Sequence, residues 1–426
     1  MENLRRKTYN LLRFTEKYVK TDMVYLTKGG FWLTVSQVLV SFSSFILAIA
    51  FAHFVSKEAY GQYKYVLSIA GILGTFTLTG LGAAVLRSVS RGYEGSLQYA
   101  FWINIRWSIL FFLSSLVLSI YYFFNHNFLL GAAMLVMGSF SPFLSSSNLY
   151  SSFLNAKKDF RRHALYFTVL GNLVPYSALF ATMLVTTNPI WLVIVYFISN
   201  TLIGIVLYRR VVKLYSPAEN LDPGMVGYSK HLSVMGILNG IANNIDQVLV
   251  FHYLGAAELA IYNFAIALPN QSKGPLKGLS TLMFPKFVEH TEKNLQTKMN
   301  HKFMWFFVSS LIMAIVYILL APKIFLIFFP KYISSVFFSQ IFALSLVAIT
   351  FNPADVYLSA KKKIKEQYIG NISSSIIQIG LTFTGIIWGG LLGLVVARVA
   401  TRIINSMVSG ILYAYSIHYS NPERES

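Results

Sequence analysis

Cysteine and charged residues are what this sequence lacks. None of its 426 residues is cysteine, which excludes disulfide bridges, thiolate metal sites and cysteine nucleophiles. Only 12% of the residues are charged and 55% are hydrophobic, whereas a soluble domain carries roughly 25% charged residues. With a mean hydropathy of +0.57, the chain is too apolar for water, and we expect a membrane protein.

Sequence motifs of enzymes are missing as well. We find no glycine-rich nucleotide loop, no Ser/His/Asp arrangement and no cluster with metal-ligand spacing, and the histidines are dispersed. We therefore expect no catalytic residues, no metal site and no bound cofactor. A polysaccharide polymerase or a glycosyltransferase would need a sizeable extramembrane loop or a carboxylate pair, and the outer loops predicted below are short.

Long apolar runs, in contrast, fill the sequence. A spanning helix needs about 20 mostly apolar residues. The first run is too long, and its basic flank too extended, for a cleaved signal peptide. The runs predict an all-α polytopic membrane protein with about twelve transmembrane helices, near residues 31–54, 65–86, 100–124, 128–154, 164–186, 190–208, 230–253, 259–284, 303–321, 333–359, 368–388 and 391–415.

The basic residues indicate which side each loop faces, because cytoplasmic loops are enriched in Lys and Arg. With a cytoplasmic amino terminus, 26 of the 35 Lys and Arg residues lie inside and only four outside, namely Lys57, Lys64, Lys323 and Lys331. We therefore expect both termini in the cytoplasm and a multi-pass protein of the cytoplasmic (inner) membrane. The net charge of +19 reflects this orientation, so nucleic-acid binding is not expected.

The span positions predict five segments. Residues 1–30 form a basic amphipathic segment that suits a helix on the anionic inner leaflet, although a solvated basic tail fits equally well. Residues 31–208 form an amino-terminal lobe of six spans, and residues 230–417 form a carboxy-terminal lobe of six. A cytoplasmic linker, 209–229, joins the lobes, and residues 418–426 form a cytoplasmic tail.

Two sequence echoes relate the lobes. His53–Tyr63 follows the first span and His252–Tyr262 follows the seventh, with the same length from His to Tyr. Leu154-Asn-Ala-Lys-Lys158 after the fourth span resembles Leu358-Ser-Ala-Lys-Lys362 after the tenth. Because each lobe has an even number of spans, both lobes enter the membrane from the same side. Parallel six-helix lobes that enclose a midplane site are an architecture of transporters.

Several ionisable residues fall inside the predicted spans, where they should face protein or a water-filled cavity. They are Arg106, Lys273, Lys277, Arg398, Arg402, Asp246 and Asp355. Because so many cations facing lipid would be costly, we predict a cationic internal cavity. The five basic residues are its candidate substrate-binding groups.

Polar side chains recur at helical spacing in the four spans that lead the two lobes, spans 1, 2, 7 and 8. They would flank a central cleft between the lobes. Ser and Thr within a span can instead return a hydrogen bond to the backbone, which leaves their part of the lining open. The predicted polar lining consists of Gln37, Ser68, Thr75, Asn239, Asn243 and Asn270.

Other interpretations stay open for the ionisable residues. Asp246 can be the buried partner of a nearby Lys or Arg. Lys277 can extend its amine to an interface, and Arg398 and Arg402 can lie near inner helix ends. Asp355 precedes the basic cluster of the next loop, which favours an ion pair at the inner end of its helix.

A cavity lined mainly by Lys and Arg attracts anions and repels cations. Arginine suits phosphate and carboxylate groups, and Asn and Gln hydrogen-bond hydroxyls such as those of sugars. The sequence therefore predicts an anionic, hydroxyl-rich cargo.

Several segments resemble one family of transporters. They are Ala50–Tyr65, Thr79–Gly82, Ile245–Val250, Leu254–Tyr262, Phe284-Pro285 and the stretch from Ala321-Pro-Lys323 to Lys331-Tyr332. In these segments the chain resembles Wzx-type oligosaccharide flippases of polysaccharide biosynthesis, which belong to the multidrug/oligosaccharidyl-lipid/polysaccharide exporter (MOP) superfamily. The resemblance covers most of the chain and implies a MATE-like fold, with two six-helix lobes around a central cavity.

The resemblance also implies a function. It implies alternating access that moves an undecaprenyl-diphosphate-linked oligosaccharide from the inner to the outer leaflet, for synthesis of a cell-surface polysaccharide. Asp246 matches an acidic position of the family and is the candidate for coupling to H⁺ or Na⁺. Partners would be membrane lipid and polysaccharide polymerases or glycosyltransferases. The alternative is a cation-coupled multidrug antiporter of the same superfamily, which the excess of basic over acidic residues in the spans disfavours.

Overall fold

The computed structural model describes residues 23–273, 287, 292–361 and 363–418. Apart from turns and short connections, those residues are helical and include no strand, and the prediction of an all-α polytopic membrane protein is confirmed. Most of the basic segment 1–30, the tail from residue 419 and Lys277 lie outside the described residues.

Nine helices follow one another in the first half of the chain. Between α7 and α8, a one-turn helix at Phe160–Arg162 leads into a π-helix at His163–Leu170. The nine are α1 (Met23–Phe54), α2 (Lys57–Gly74), α3 (Leu81–Ser90), α4 (Ser96–Trp107), α5 (Ile109–Phe124), α6 (Phe128–Ser147), α7 (Leu149–Ala156), α8 (Gly171–Val185) and α9 (Pro189–Tyr215).

The described residues of the second half of the chain form six helices. Two 3₁₀ segments, Pro330–Tyr332 and Leu344–Phe351, lie on either side of α13. The helices are α10 (Met225–Leu254), α11 (Ala256–Ser272), α12 (Glu292–Phe328), α13 (Ser335–Ala343), α14 (Asn352–Ala360) and α15 (Ile364–His418).

These helices form two compact units. Unit 1 takes the described residues of Met1–Ala48, Phe76–Thr186 and Ile190–Ser233. Unit 2 takes those of Ile49–Thr75, Thr187–Pro189 and Val234–Ser426. The lobe boundaries predicted from the sequence, 31–208 and 230–417, stay a prediction.

The observed helices account for the predicted spans. In the described part of the chain, nine helical segments are long and apolar enough to cross a membrane. One of them, Ile364–Ile417, holds two predicted spans, because its backbone leaves helical geometry at Gly390. The second predicted span is divided into α2 and α3, and the eighth extends past residue 273, where the description stops.

Two glycines explain how α15 forms two adjacent spans. Gly390 has a φ of 54°, in the left-handed region that favours glycine, and the chain reverses there. A Cβ on Gly385 would lie 2.6 Å from the carbonyl oxygen of Gly393 and 2.8 Å from Cβ of Ala397. The missing side chain therefore lets the two legs of α15 approach closely.

Large apolar side chains are exposed along many of the helices. Val185 and Trp388 are each 88% exposed, and Phe124 is 81% exposed. Leaving such surfaces in water would cost about 25 cal/mol per Å² of apolar area, so these faces contact lipid. The protein is therefore a multi-pass membrane protein.

Each unit has buried clusters of its own. In unit 1 one cluster is built around Leu81, Leu97 and Phe153, all at most 1% exposed. In unit 2, Phe306 and Leu346 belong to one cluster, and residues of α14 and α15 to another. Packing of this kind fixes the helices that carry the polar side chains described below.

The two echoed segments pack against each other within unit 2. A Cβ on Gly61 of α2 would lie only 1.8 Å from the carbonyl oxygen of Ala256 in α11, so the two backbones touch there. The rings of Tyr65 and Phe251 stack with centroids 3.9 Å apart. Close contact between α2 and α11 thus requires a residue without a side chain at position 61.

The residues between α9 and α10 are fixed to unit 1. The Ser88 hydroxyl donates to Oδ2 of Asp222 at 2.6 Å, and Nδ2 of Asn220 donates to the Gly92 carbonyl at 2.8 Å. The bond from Ser88, assisted by the Gly224 N–H, holds the pKa of Asp222 below its usual value. This connection is therefore an ordered part of unit 1.

Candidate functional site

A buried ion pair joins three helices of unit 2. Nε of Arg398 on α15 lies 3.2 Å from Oδ2 of Asp246 on α10, without the alignment of a hydrogen bond. The hydroxyl of Tyr262 on α11 donates to the same oxygen at 2.5 Å. Asp246 is 1% exposed and Arg398 is 9% exposed, so both charges are removed from solvent.

The sequence left open that Asp246 is the buried partner of a nearby Lys or Arg, and this ion pair agrees with that possibility. The carboxylate neutralises Arg398, and Tyr262 and the N–H of Gln247 satisfy more of its hydrogen-bonding capacity. Asp246 is therefore the buried partner of an arginine in this structure. A coupling ion at Asp246 stays a prediction, and such an ion would have to compete with the guanidinium.

A polar cavity of about 430 Å³ lies elsewhere in unit 2. This volume is within the range of about 300–1,000 Å³ for pockets that bury small ligands. Its walls come from residue 273 after α11, the 3₁₀ segment Leu344–Phe351, α14 and both legs of α15. The polar residues that line it are Lys273, Ser345, Asn352, Asp355, Ser359, Glu366, Gln367, Asn371, Ser374, Arg402, Asn405, Ser406 and Ser409.

Arg402 is the cavity residue whose position is most firmly fixed. Its Nη1 donates to Oγ of Ser345 at 3.0 Å, and its Nη2 donates to Oδ1 of Asn270 at 2.9 Å. The guanidinium also lies 4.3 Å from the centroid of the Phe342 ring. No carboxylate lies within ion-pair distance of Arg402 in the described part of the chain. The guanidinium therefore keeps both its charge and further N–H donors for a ligand.

The cavity has two chemically different ends. Arg402 and Ser345 mark one, here called the deep end. Ser359 and Glu366 lie near the connection between α14 and α15, and Asp355 lies one turn before Ser359 on α14; this part of the lining is called the loop end. Arg402 thus lies at one end, and the two carboxylates lie toward the other.

The predicted cationic residues are distributed unevenly. Arg402 and Lys273 line the cavity of unit 2, whereas Arg398 pairs with Asp246 and does not line it. Arg106 belongs to unit 1, is exposed on α4 and is not among the residues that line the cavity. Lys277 lies outside the described residues.

The predicted polar lining is also divided. Asn270 holds Arg402, but the hydroxyls of Ser68 and Thr75 are buried and return bonds to backbone carbonyls of α2, at 2.8 and 2.7 Å. Asn243 donates to Asn239 at 2.9 Å on an exposed face of α10. Gln37, the remaining residue of the set, belongs to unit 1 and is exposed.

Several cavity residues were missed in the sequence, although helical spacing could have found them. Asn405 and Ser409 follow Arg402 at i+3 and i+7 on α15, and Asp355 and Ser359 follow Asn352 in the same way on α14. Of these residues, only Asp355 was among the ionisable residues singled out in the sequence, as the partner in an ion pair at the inner end of its helix. Their common direction becomes evident only when α14 and α15 face each other.

The sequence matches the family model of polysaccharide biosynthesis proteins over residues 26–291, which is more than half of the chain. No curated protein matches the sequence.

Solved structures of transporters share the fold. The lipid II flippase MurJ, in an inward closed conformation, has a TM-score of 0.71 at 14% identity, over 91% of this chain and 87% of its own. An inward-facing multidrug resistance transporter of the MATE family, in the MOP superfamily, has a TM-score of 0.66 at 13% identity. The match covers 89% of this chain and 94% of the transporter. A MOP superfamily transporter from Pyrococcus furiosus, described as having a binding pocket of reverse polarity, has a TM-score of 0.56 at 14% identity. The match covers 93% of this chain and 95% of that transporter.

Similarity at this level of identity shows the fold. The predicted resemblance to polysaccharide biosynthesis proteins and the predicted MATE-like architecture are confirmed. The solved structures that share this fold are those of transporters and a flippase, not of enzymes, which agrees with the prediction from the sequence.

Proposed function

Because this chain belongs to the family of polysaccharide biosynthesis proteins, we propose that it moves a lipid-linked anionic saccharide across the membrane. The proposed cargo is an undecaprenyl-diphosphate-linked oligosaccharide, and the proposed direction is from the inner to the outer leaflet of the cytoplasmic membrane. The observation that carries the proposal is the Arg402 guanidinium, which is fixed by two hydrogen bonds in a polar cavity without a carboxylate partner among the described residues.

The chemistry of Arg402 supports an anionic cargo. A guanidinium in a site with low-dielectric walls attracts phosphate or carboxylate oxygens more strongly than it would in water. Its bonds to Asn270 and Ser345 hold it in place before the cargo arrives, so little side-chain entropy is lost on binding. Lys273 adds a second positive charge to the same cavity wall.

A transport cycle follows from this chemistry. The head group enters from the cytoplasmic side while its lipid tail stays in the bilayer, and Arg402 replaces part of the hydration of the anion. Access then alternates to the outer side, where water competes with Arg402 for the head group. An ion at Asp246, or the membrane potential at about 2.3 kcal/mol per charge per 100 mV, would assist release.

The same cation disfavours the alternative function. A multidrug antiporter binds cationic compounds, which the Arg402 guanidinium would repel at its end of the cavity.

Deletion of the gene tests the proposal in the cell. We expect a lipid-linked oligosaccharide to accumulate in the deletion strain, because its synthesis continues while its transport stops. Mass spectrometry of the lipid extract would detect the diphosphate-linked intermediate, and complementation with the wild-type gene should remove it. Complementation with Arg402→Gln should leave it in place, whereas Arg209→Gln, a change of an exposed arginine at the end of α9, should behave as wild type. A deletion strain without any such intermediate would contradict the proposal.

A further inference from the structure

The loop end of the cavity in unit 2 has a chemistry that anion binding does not use. Its walls carry two carboxylates, Asp355 and Glu366, and the amide of Gln367. A carboxylate repels an anion, so these residues do not serve the charge that Arg402 attracts. These residues would therefore contact a different chemical group of the ligand.

Distance separates the two chemistries. Arg402 and Ser409 both line the cavity on α15, and their positions differ by seven residues, about 10 Å along a helix. Ser409 and Asp355 are neighbours in the lining of the cavity. A ligand that contacts both Arg402 and Asp355 would therefore do so with different chemical groups.

Carboxylates and amides recognise hydroxyl groups. A carboxylate accepts hydrogen bonds but donates none, so it can bind a sugar hydroxyl and cannot bind the bare oxygens of a deprotonated phosphate. Asn352, Asn371 and Asn405 line the wall between the two ends, and an amide can both donate to and accept from hydroxyls. The amide oxygen of Asn405 has no hydrogen-bond partner among the described residues, so it is an acceptor that a ligand hydroxyl would satisfy.

We propose that this cavity is a subsite for one sugar unit that carries a negative charge. The charged group binds Arg402 at the deep end, and the hydroxyls of the ring bind Asn405, Asp355 and Glu366 toward the loop end. The charge can belong to a phosphate ester on the sugar or to a carboxylate of the ring, because both present anionic oxygens next to hydroxyls. The inference rests on the proposed function and assigns the saccharide part of the cargo to residues of unit 2.

Soluble ligands test this subsite on the purified full-length protein. Calorimetric titrations would compare glucose 1-phosphate and glucuronate with glucose, which lacks the charge, and with pyrophosphate, which lacks the hydroxyls. We expect at least one of the two charged sugars to bind at least 10-fold more tightly than either comparison ligand. Whichever charged sugar binds more tightly identifies the source of the negative charge. Equal binding of all four compounds would overturn the subsite.

Variants separate the two ends of the cavity. Asp355→Ala should weaken binding of the preferred charged sugar by roughly 10-fold to 100-fold, the effect of removing a hydrogen bond to a charged group. Pyrophosphate should bind this variant at least as tightly as it binds wild type, because a repelling carboxylate is removed, and this binding also shows that the variant is folded. Arg402→Gln should weaken both ligands. Glu258→Ala, which removes a carboxylate from the first turn of α11, is the matched control and should change neither.

The outcome is independent of the transport test. If Asp355→Ala binds the charged sugar as tightly as wild type does, the subsite is wrong, even when the deletion strain accumulates a lipid-linked oligosaccharide. If charged sugars bind as expected but no intermediate accumulates, the subsite stands and the proposed transport function is wrong.

Discussion

Replacing Asp246 with alanine is expected to destabilise the protein by about 3–5 kcal/mol, because Arg398 would keep a buried charge without a partner. Tyr262 would lose its hydrogen-bond acceptor in the same change. Thermal unfolding of the purified protein in detergent would measure the loss as a decrease in Tm.

Two further variants make this test specific. The double variant Asp246→Ala/Arg398→Met removes both charges and should regain most of the lost stability. Glu94→Ala breaks a pair with Lys157 whose side chains are 23% and 29% exposed, and it should cost no more than about 1 kcal/mol. Equal Tm values for Asp246→Ala and Glu94→Ala, or a double variant no more stable than Asp246→Ala, would contradict a structural role for the buried pair.

The second large effect is expected at Gly61, where α2 and α11 touch. In Gly61→Ala the new Cβ would lie only 1.8 Å from the carbonyl oxygen of Ala256, where there is no room for it. The helices must then separate, and we expect a loss of about 1–3 kcal/mol or more. Unfolding in detergent and the yield of folded protein would both report it.

Gly74 provides a matched control on the same helix. A Cβ at Gly74 would meet no atom within 4 Å, so Gly74→Ala should be neutral or slightly stabilising. If Gly61→Ala and Gly74→Ala unfold at the same temperature, the close contact of α2 with α11 is wrong.

Most of the secondary structure could be predicted from the sequence. The length of the apolar runs identified the spans, because a helix in lipid must satisfy its own backbone over about 20 residues. The break between α2 and α3 was not predicted, because the run 65–86 is apolar on both sides of the break. The division of the chain into units depends on packing between distant segments, which apolar runs do not encode.

The candidate site was predictable only in part. Arg398 and Arg402 are four residues apart, and helical spacing places them on one face, which suggested one cavity for both. In the structure Arg398 meets Asp246, whereas Arg402 meets Asn270 and Ser345. The small angle between the two positions decides which neighbouring helix each arginine contacts, and the sequence does not contain the positions of those neighbours.

Hydroxyl residues show a second limit of sequence patterns. Ser68 and Thr75 lie in a polar stripe, but each hydroxyl donates a hydrogen bond to a backbone carbonyl of its own helix. Asn352 and Asn371, in contrast, lie in no predicted stripe and line the cavity. An amide has two N–H donors and a carbonyl acceptor, so one bond to its own helix leaves groups that need another partner, and an amide in a span indicates a cavity better than a hydroxyl does.

Direct measurement of flipping tests the central claim that Arg402 serves the transport of an anionic saccharide on a lipid. The purified protein would be placed in liposomes with a fluorescent, prenyl-diphosphate-linked disaccharide, and a membrane-impermeant quencher would report the fraction in the outer leaflet over time. We predict exchange between leaflets that is faster than in protein-free liposomes, with Arg402→Gln at least 10-fold slower than wild type and Arg209→Gln unchanged. Wild-type exchange no faster than in protein-free liposomes, or Arg402→Gln as fast as wild type, would contradict the claim.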